Sequence, residues 1–204
     1  MAFDPRAFAP MVVTDTCAVW NVLSARKLYR AAFSSGLNFC ITPMVLFECV
    51  RKPRKNVTAE QAELITRFHE VKKNGAFDIL ECDLDDLLTV SQIAPAGLSS
   101  GELSCIAMSY RVSTIAVMTD ERQARYFAEN RLALRVETTP RLYGWLHFRR
   151  RLVDGDHSDV LAEHEKYERR PLTKHFETAY TSALQYRLIE QQAAPSKPTD
   201  LPST

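Results

Sequence analysis

The chain has 204 residues and a net charge of +1, from 26 Lys and Arg against 25 Asp and Glu, with 46% hydrophobic and 25% charged residues. This is ordinary globular composition. It excludes a chain too polar to bury a core and a strongly basic nucleic-acid binder, so any affinity for nucleic acid has to come from local patches. The five cysteines (17, 40, 49, 82 and 105) form no CxxC pair and have no clustered His, which leaves out zinc and redox motifs, and no apolar run approaches the ~18 residues that a membrane span needs.

In chain order, "MVVT" reads as a buried strand and ends on Asp15. A helical segment over about 16–33 follows, Gly36 breaks it, and "NFCIT" (38–42) reads as a second strand. Pro43 sits where a helix can start without losing a bond, so "MVLFECV" is helical until Pro53. Thr58 is placed to cap "AEQAELITRFHEVKKN", with apolar spacing at Ala62, Ile65, Phe68 and Val71 and a stop at Gly75. "FDIL" (77–80) is a third strand and "DLDDLLTVSQI" a helix.

After a turn at 95–97, Ser99 or Ser100 caps the helix "GELSCIAMSYR". "TIAVMT" is a fourth strand, "ERQARYFAEN" a helix and "LRVET" (134–138) a fifth strand. Three helical stretches follow: "RLYGWLHFRRRLV", "HSDVLAEHEKYERR" and "TKHFETAYTSALQYRLIEQQ". The alternation predicts an α/β fold with a parallel sheet covered on both faces. The expected organisation is an N-terminal arm (1–10), a domain (11–152), a helical extension packed on it (153–192) and a disordered Pro/Ser/Thr-rich tail (193–204).

Four acids stand out. Asp15 and Asp120 each follow a predicted strand, "VVTD" and "VMTD", and in an open parallel sheet ligands collect at the carboxyl ends of strands. Glu48 interrupts the apolar helix "MVLFECV", and Glu102 stands in the first turn of "GELSCIAMS". Each also has a plain reading. Asp15 and Asp120 are placed to cap the next helix, Glu48 to face solvent, and Glu102 to offset a helix dipole. Taken together, crowded carboxylates with no Cys or His partner select a hard cation, Mg2+ or Mn2+, and such sites serve phosphate chemistry.

The segments "VVTDTCAVWNVL", "TPMVLFECVRKPR", "LSSGELSCIAMSYR" and "IAVMTDERQARYFAEN" resemble, in order, the PIN domain, the metal-dependent ribonuclease fold that includes VapC-type toxins. The resemblance spans roughly 11–152. It implies a five-stranded parallel sheet between helices, with Asp15, Glu48, Glu102 and Asp120 as catalytic, metal-binding acids. It further implies Mg2+ or Mn2+ as cofactor, RNA as substrate with 5′-phosphate and 3′-hydroxyl products, and an antitoxin-like protein as partner. Thr119 matches a hydroxyl often placed before the last acid, and Glu121 stands where relatives carry a further acid.

The basic run "RKPRK" (51–55) follows Glu48, so Arg51 and Lys52, with Arg122 and Arg125 after Asp120, are the candidate phosphate contacts. The apolar face of Phe176, Tyr180, Leu184 and Leu188 is expected to pack on the domain, with a homodimer or an antitoxin-like segment as the other covers. The five His (69, 147, 157, 164 and 175) are scattered, mostly through charged helices, and are expected to be non-catalytic. The expected location is the cytoplasm, with no membrane partner.

Two alternatives remain open. An aspartyl-nucleophile phosphohydrolase wants an acid two residues after the first, where Cys17 stands. A receiver-type domain wants a Lys after the fifth strand, which "LRVETTP" lacks. The other alternative is a PIN-like scaffold that binds RNA or protein without cutting.

Overall fold

The structure is a computed structural model and describes residues 4–51, 57–168 and 171–193. Its centre is a five-stranded sheet of β1 (Met11–Thr14), β2 (Asn38–Ile41), β3 (Asp78–Ile79), β4 (Ala116–Met118) and β5 (Val136–Glu137). All pairs are parallel, and the order is β3-β2-β1-β4-β5. The inner strands are short apolar runs, Val12 and Val13, Phe39 to Ile41, and Ala116 to Met118, all buried as a sheet covered on both faces requires.

Strand order grows outward from β1 in both directions, so the reversal falls between β1 and β4, where Thr14 pairs with Met118. That register sets Asp15 and Asp120 side by side at the crevice where open α/β sheets bind ligands. It is also not the 2-1-3-4-5 order of receiver-type domains. Glu81 and Asp83 lie exposed beyond the edge strand.

Helices α1 (Thr16–Leu23) and α2 (Arg26–Phe33) join β1 to β2, and α3 (Pro43–Val50) and α4 (Ala59–Lys73) join β2 to β3. The chain then returns through α5 (Leu84–Ile93) and α6 (Ser100–Arg111) to β4, and α7 (Arg122–Arg131) leads to β5. Right-handed crossovers place α1–α4 on one face of the sheet and α5–α7 on the other. Local chemistry fixes the starts: Thr42 caps α3 with Pro43 in its first turn, and Thr58 with Gln61, like Ser99 with Glu102, forms a reciprocal capping box.

One expectation is refined and two need correction. The helical segment over 16–33 is resolved into two helices, because Ala25 is extended (φ −120°, ψ 124°). The carbonyls of Leu23 and Ser24 that this break exposes are taken by the Arg67 guanidinium at 2.9 and 3.0 Å. For the same reason α4 turns Leu64, Arg67, Phe68 and Val71 inward and leaves Ala62 exposed. Finally, α8 (Thr139–Phe148) ends before the three arginines: Arg150 takes a left-handed φ of 55°, and the Arg151 N–H bonds back to the Leu146 carbonyl.

After a 3₁₀ turn, α9 (His157–Tyr167) and α10 (Thr173–Ala193) complete the described chain. α10 lies along α8 and buries Phe176, Ala179 and Ala183, while Leu188 is 57% exposed and does not belong to the packed face. The histidines between these helices are packed among aromatic rings. His147 is fully buried between Tyr143 and Tyr180, with ring centroids 4.6 and 4.7 Å away and no hydrogen-bond partner for either nitrogen among the described residues. His157 stacks on Tyr180 at 4.0 Å.

His164 Nε2 accepts the Leu172 N–H at 2.9 Å, so its proton sits on Nδ1 and is donated to Ser24 Oγ at 2.7 Å. A base is therefore not available to that serine. The expected disordered tail begins at 193, but Ala193 is the last residue of α10, and 194–204 lie outside the described residues. No helix among the described residues is long and apolar enough to cross a membrane.

Candidate functional site

Asp15 ends β1 and begins α1. Its Oδ1 accepts the Ala18 N–H at 2.8 Å, so the plain capping reading holds for one oxygen. The other oxygen, Oδ2, is buried, and no donor among the described residues meets it in hydrogen-bond geometry. Burial pushes the Asp15 pKa up to about 8, and the charges of Asp120 and Glu102 add to the rise against the pull of the Ala18 N–H and the Thr119 hydroxyl.

Glu48 is not a solvated helix position; it is only 5% exposed. Its Oε2 accepts the hydroxyl of Thr16, the residue after Asp15, at 2.5 Å, and its Oε1 accepts Ser100 Oγ at 3.1 Å and the Gly101 N–H at 3.2 Å. The approach to α6 is close enough that a Cβ on Gly101 would stand 2.7 Å from Oε2. Glycine at the first turn of α6 is thus the residue that lets the carboxylate in.

Glu102 is half-buried and folds back so that Oε2 accepts the Ser99 N–H at 2.7 Å, which bears out its helix-start reading. Burial raises its pKa, and Glu121 and Glu48 raise it further. Asp120 does not cap α7, whose N-cap is Glu121 with no side-chain bond. Instead, Oδ1 accepts the Thr139 N–H at 2.9 Å, and Oδ2 accepts Thr139 Oγ1 at 2.5 Å and Asn21 Nδ2 at 2.8 Å. Burial raises the Asp120 pKa too, while these donors and then Arg125 oppose it.

The remaining expected residues are less central. Thr119 is buried, and its hydroxyl accepts the Glu121 N–H at 3.1 Å. Arg122 is exposed on α7, and Arg51, the C-cap of α3, is exposed as well. Lys52 lies outside the described residues.

The four acids therefore share one end of the sheet and lie within one another's fields. Among the described residues, however, no three His, Cys, Asp or Glu side chains are grouped closely enough to hold a metal ion. The donor set fits a hard cation in chemistry, being all carboxylate oxygen and mutually repulsive, and Asp15 Oδ2 meets no donor in hydrogen-bond geometry among the described residues. Glu48, Glu102 and Asp120 are each engaged by protein donors.

Sequence reasoning missed a fifth acid. Glu168, at the end of α9, has its pKa pushed up to about 7 by burial, with the charge of Asp120 adding to it. The Cys17 thiol is driven up by burial and by the fields of Asp15, Asp120, Glu121 and Glu168, so these groups share one neighbourhood. Nothing in "EKYERR" marks Glu168, because its approach depends on how α9 packs. Asn21 and Thr139, which grip Asp120, were missed for the same reason. No protein-family model matches this chain, and no curated protein is similar enough to it to count as a match.

Proposed function

We propose that the protein is a PIN-like, Mg2+- or Mn2+-dependent ribonuclease that hydrolyses RNA phosphodiester bonds at the carboxyl ends of β1 and β4. The observation that carries this reading is Asp15. Its carboxylate is buried beside Asp120 and Glu102 at the sheet's point of strand reversal, and no donor among the described residues meets its Oδ2 in hydrogen-bond geometry. A site that stores like charge in this way gains free energy when a cation arrives.

Asp15, Asp120, Glu102 and Glu48 would hold the ion, which when bound supplies a water of lowered pKa and charge stabilisation for the phosphate. The protein's own part is orientation. Thr139 and Asn21 fix both oxygens of Asp120, and Thr16, Ser100 and Gly101 fix those of Glu48. Arg125 tempers the charge of Asp120 from α7.

The test is degradation of a mixed RNA pool with Mn2+ or Mg2+, with EDTA, and with Asp15→Asn. Cleavage that is lost with chelator and with the variant supports the reading, whereas equal cleavage by wild type and variant overturns it. A second reading, a PIN-like scaffold that binds RNA without cutting, is favoured by the saturated hydrogen bonding of Glu48 and Asp120. Calorimetric titration with Mn2+ separates the two, because the scaffold takes up no ion at Asp15.

A further inference from the structure

Away from the acids, a groove of about 450 Å³ opens between the end of α8, the 3₁₀ turn at Asp154–Asp156 and the second half of α10. Leu152, Val153, Leu184 and Leu188 form its apolar lining, and Arg150 and Arg187 stand at its rim. α8 begins at Thr139, which bonds Asp120, and its 10 residues at ~1.5 Å each carry the far end roughly 15 Å from there. The groove is thus remote from the acidic site.

Part of this apolar surface lies outside the packing of the fold. α10 packs through Phe176, Ala179 and Ala183, whereas Leu188 and Val153 are 57% and 60% exposed, and Ile189 next to Leu188 is exposed as well. Leu184 and Leu188 stand one turn apart on α10, so they share a stripe. A contiguous apolar strip marks an interaction surface, as scattered single residues do not.

The rim carries positive charge that the fold does not neutralise. Arg149, Arg150 and Arg151 are all exposed, and among the described residues none of them makes an ion pair. The nearby acids are engaged elsewhere. Arg187 holds Asp154 at 2.7 Å, Lys27 holds Asp156 at 2.7 Å, and Glu190 acts on Arg6, which sits 5.1 Å over the Tyr186 ring. A helix C-terminus favours a cation, yet three adjacent arginines exceed what its dipole offsets. Arg150 also takes a left-handed backbone, φ 55°, that favours glycine, so an arginine stands where a smaller residue would be easier.

An apolar trough with a cationic rim complements an amphipathic helix whose apolar face is flanked by carboxylates. Its aliphatic walls offer no stacking plane of the kind that binds unpaired nucleic acid. We propose that this groove docks an acidic amphipathic helix of a partner protein. Leu184, Leu188 and Val153 receive its apolar side chains, and Arg149, Arg150 and Arg151 meet its carboxylates. The docking does not depend on RNA cleavage at the acidic site.

The probe is a fluorescein-labelled synthetic helix of about five turns, with leucine along one face and glutamate on both flanks. It is titrated with the full chain and read by fluorescence anisotropy. Saturable binding is expected, about 10-fold tighter than that of the same peptide with lysine for glutamate or alanine for leucine. Equal binding of the three peptides, or no binding of the glutamate peptide, overturns the proposal. Raising the salt from about 0.05 to 0.5 M is expected to weaken the glutamate peptide several-fold, and salt-independent binding overturns it too.

Leu188→Asp changes an exposed side chain and leaves the buried face of α10 intact. Arg150→Gly removes a charge and relieves the left-handed backbone. With folding checked by circular dichroism, the first is expected to lose about 10-fold in peptide affinity and the second several-fold. Unchanged affinity in either variant overturns the proposal. The same variants read the other occupants. A wild-type dimer that Leu188→Asp converts to monomer in sedimentation gives the groove to a second copy. Binding to phosphatidylglycerol vesicles that Leu188→Asp abolishes gives it to a lipid surface, and RNA binding in EDTA that Arg150→Gly abolishes gives it to nucleic acid. Each of these three results overturns the partner helix.

Discussion

Two regions bury titratable groups whose polar atoms lack a partner, and they do so with opposite consequences. Under α10, His147 has neither nitrogen bonded, yet it sits among Tyr143, Tyr180 and His157 in an aromatic cage. Burial lowers its pKa to about 4, so the ring is neutral at physiological pH and avoids the larger cost of a buried charge. At the strand ends, no donor among the described residues meets Asp15 Oδ2 in hydrogen-bond geometry, and two of the charges that act on Asp15 are themselves acids, Asp120 and Glu102. Burial alone therefore does not mark a site. Burial among like charges does, because the protein could lower that cost with an apolar residue and has kept a carboxylate instead.

The largest expected effect that sharpens this contrast is acid unfolding. His147 and His164 both have pKa values lowered to about 4 by burial, against 6.5 in the unfolded chain. Between those values the unfolded state binds more protons than the folded one. The contribution of the two histidines is then full above pH 6.5, falls as the pH drops towards 4, and is flat below, with about 3 kcal/mol lost for each group, while the raised Asp15 and Glu168 carboxyls slope the opposite way over the same range. Urea titrations of the wild type and His147→Phe across pH 4–7 isolate the His147 part as their difference. The gap between the two should shift by about 3 kcal/mol in favour of the variant from pH 6.5 to 4, and a constant gap would locate the effect elsewhere.

Next in size is the packing of α10. Phe176 is fully buried against Tyr143 and His164, with centroids 4.8 Å from each. Phe176→Ala should cost about 3–5 kcal/mol, measured as a drop in the urea midpoint. A loss below 1 kcal/mol would show that α10 contributes little to the fold.

At the acidic site the sign reverses. The folded pKa of Asp15, about 8, exceeds its unfolded value of 3.8, so its contribution is most favourable below pH 3.8 and is lost as the pH rises through 8. At pH 8.5, Asp15→Asn should therefore raise stability, by about 1–3 kcal/mol, while abolishing cleavage. Added Mn2+ should raise the Tm of the wild type and leave that of the variant unmoved. A variant less stable than the wild type at this pH would contradict the charge-crowding account.

The smallest effect is the most local. Gly101→Ala inserts a methyl 2.7 Å from Glu48 Oε2 and 3.1 Å from Thr16 Oγ1. The carboxylate has to shift by several tenths of an ångström, at about 1 kcal/mol, with a larger proportional loss of activity than of stability. Thermal melts and initial cleavage rates on one preparation compare the two.

The alternation of elements, the parallel sheet and most helix starts were legible because they are local. Thr58 with Gln61, and Ser99 with Glu102, carry their capping signals within four residues. The pairing of Asp15 with Asp120 followed from two strand ends of the same pattern. What was not legible depends on side chains meeting across the fold. Arg67 reads as a surface cation until the broken end between α1 and α2 offers it carbonyls, and only tertiary packing brings Glu168 towards Asp120. The saturated bonding of Glu48 was hidden too, since its partners, Thr16, Ser100 and Gly101, belong to two distant helices.

The buried carboxylate of Glu137 joins the beginning of the chain to this machinery. Its Oε1 accepts the Ala9 N–H at 3.0 Å and a bond from Arg135, and two residues later Thr139 clasps Asp120. Trimming the first nine residues, or fusing a bulky tag there, would strip a donor from an enclosed anion and slacken the strand that steadies Asp120. An upstream alteration more than a hundred positions away in sequence would then register as impaired turnover, with the acids themselves untouched.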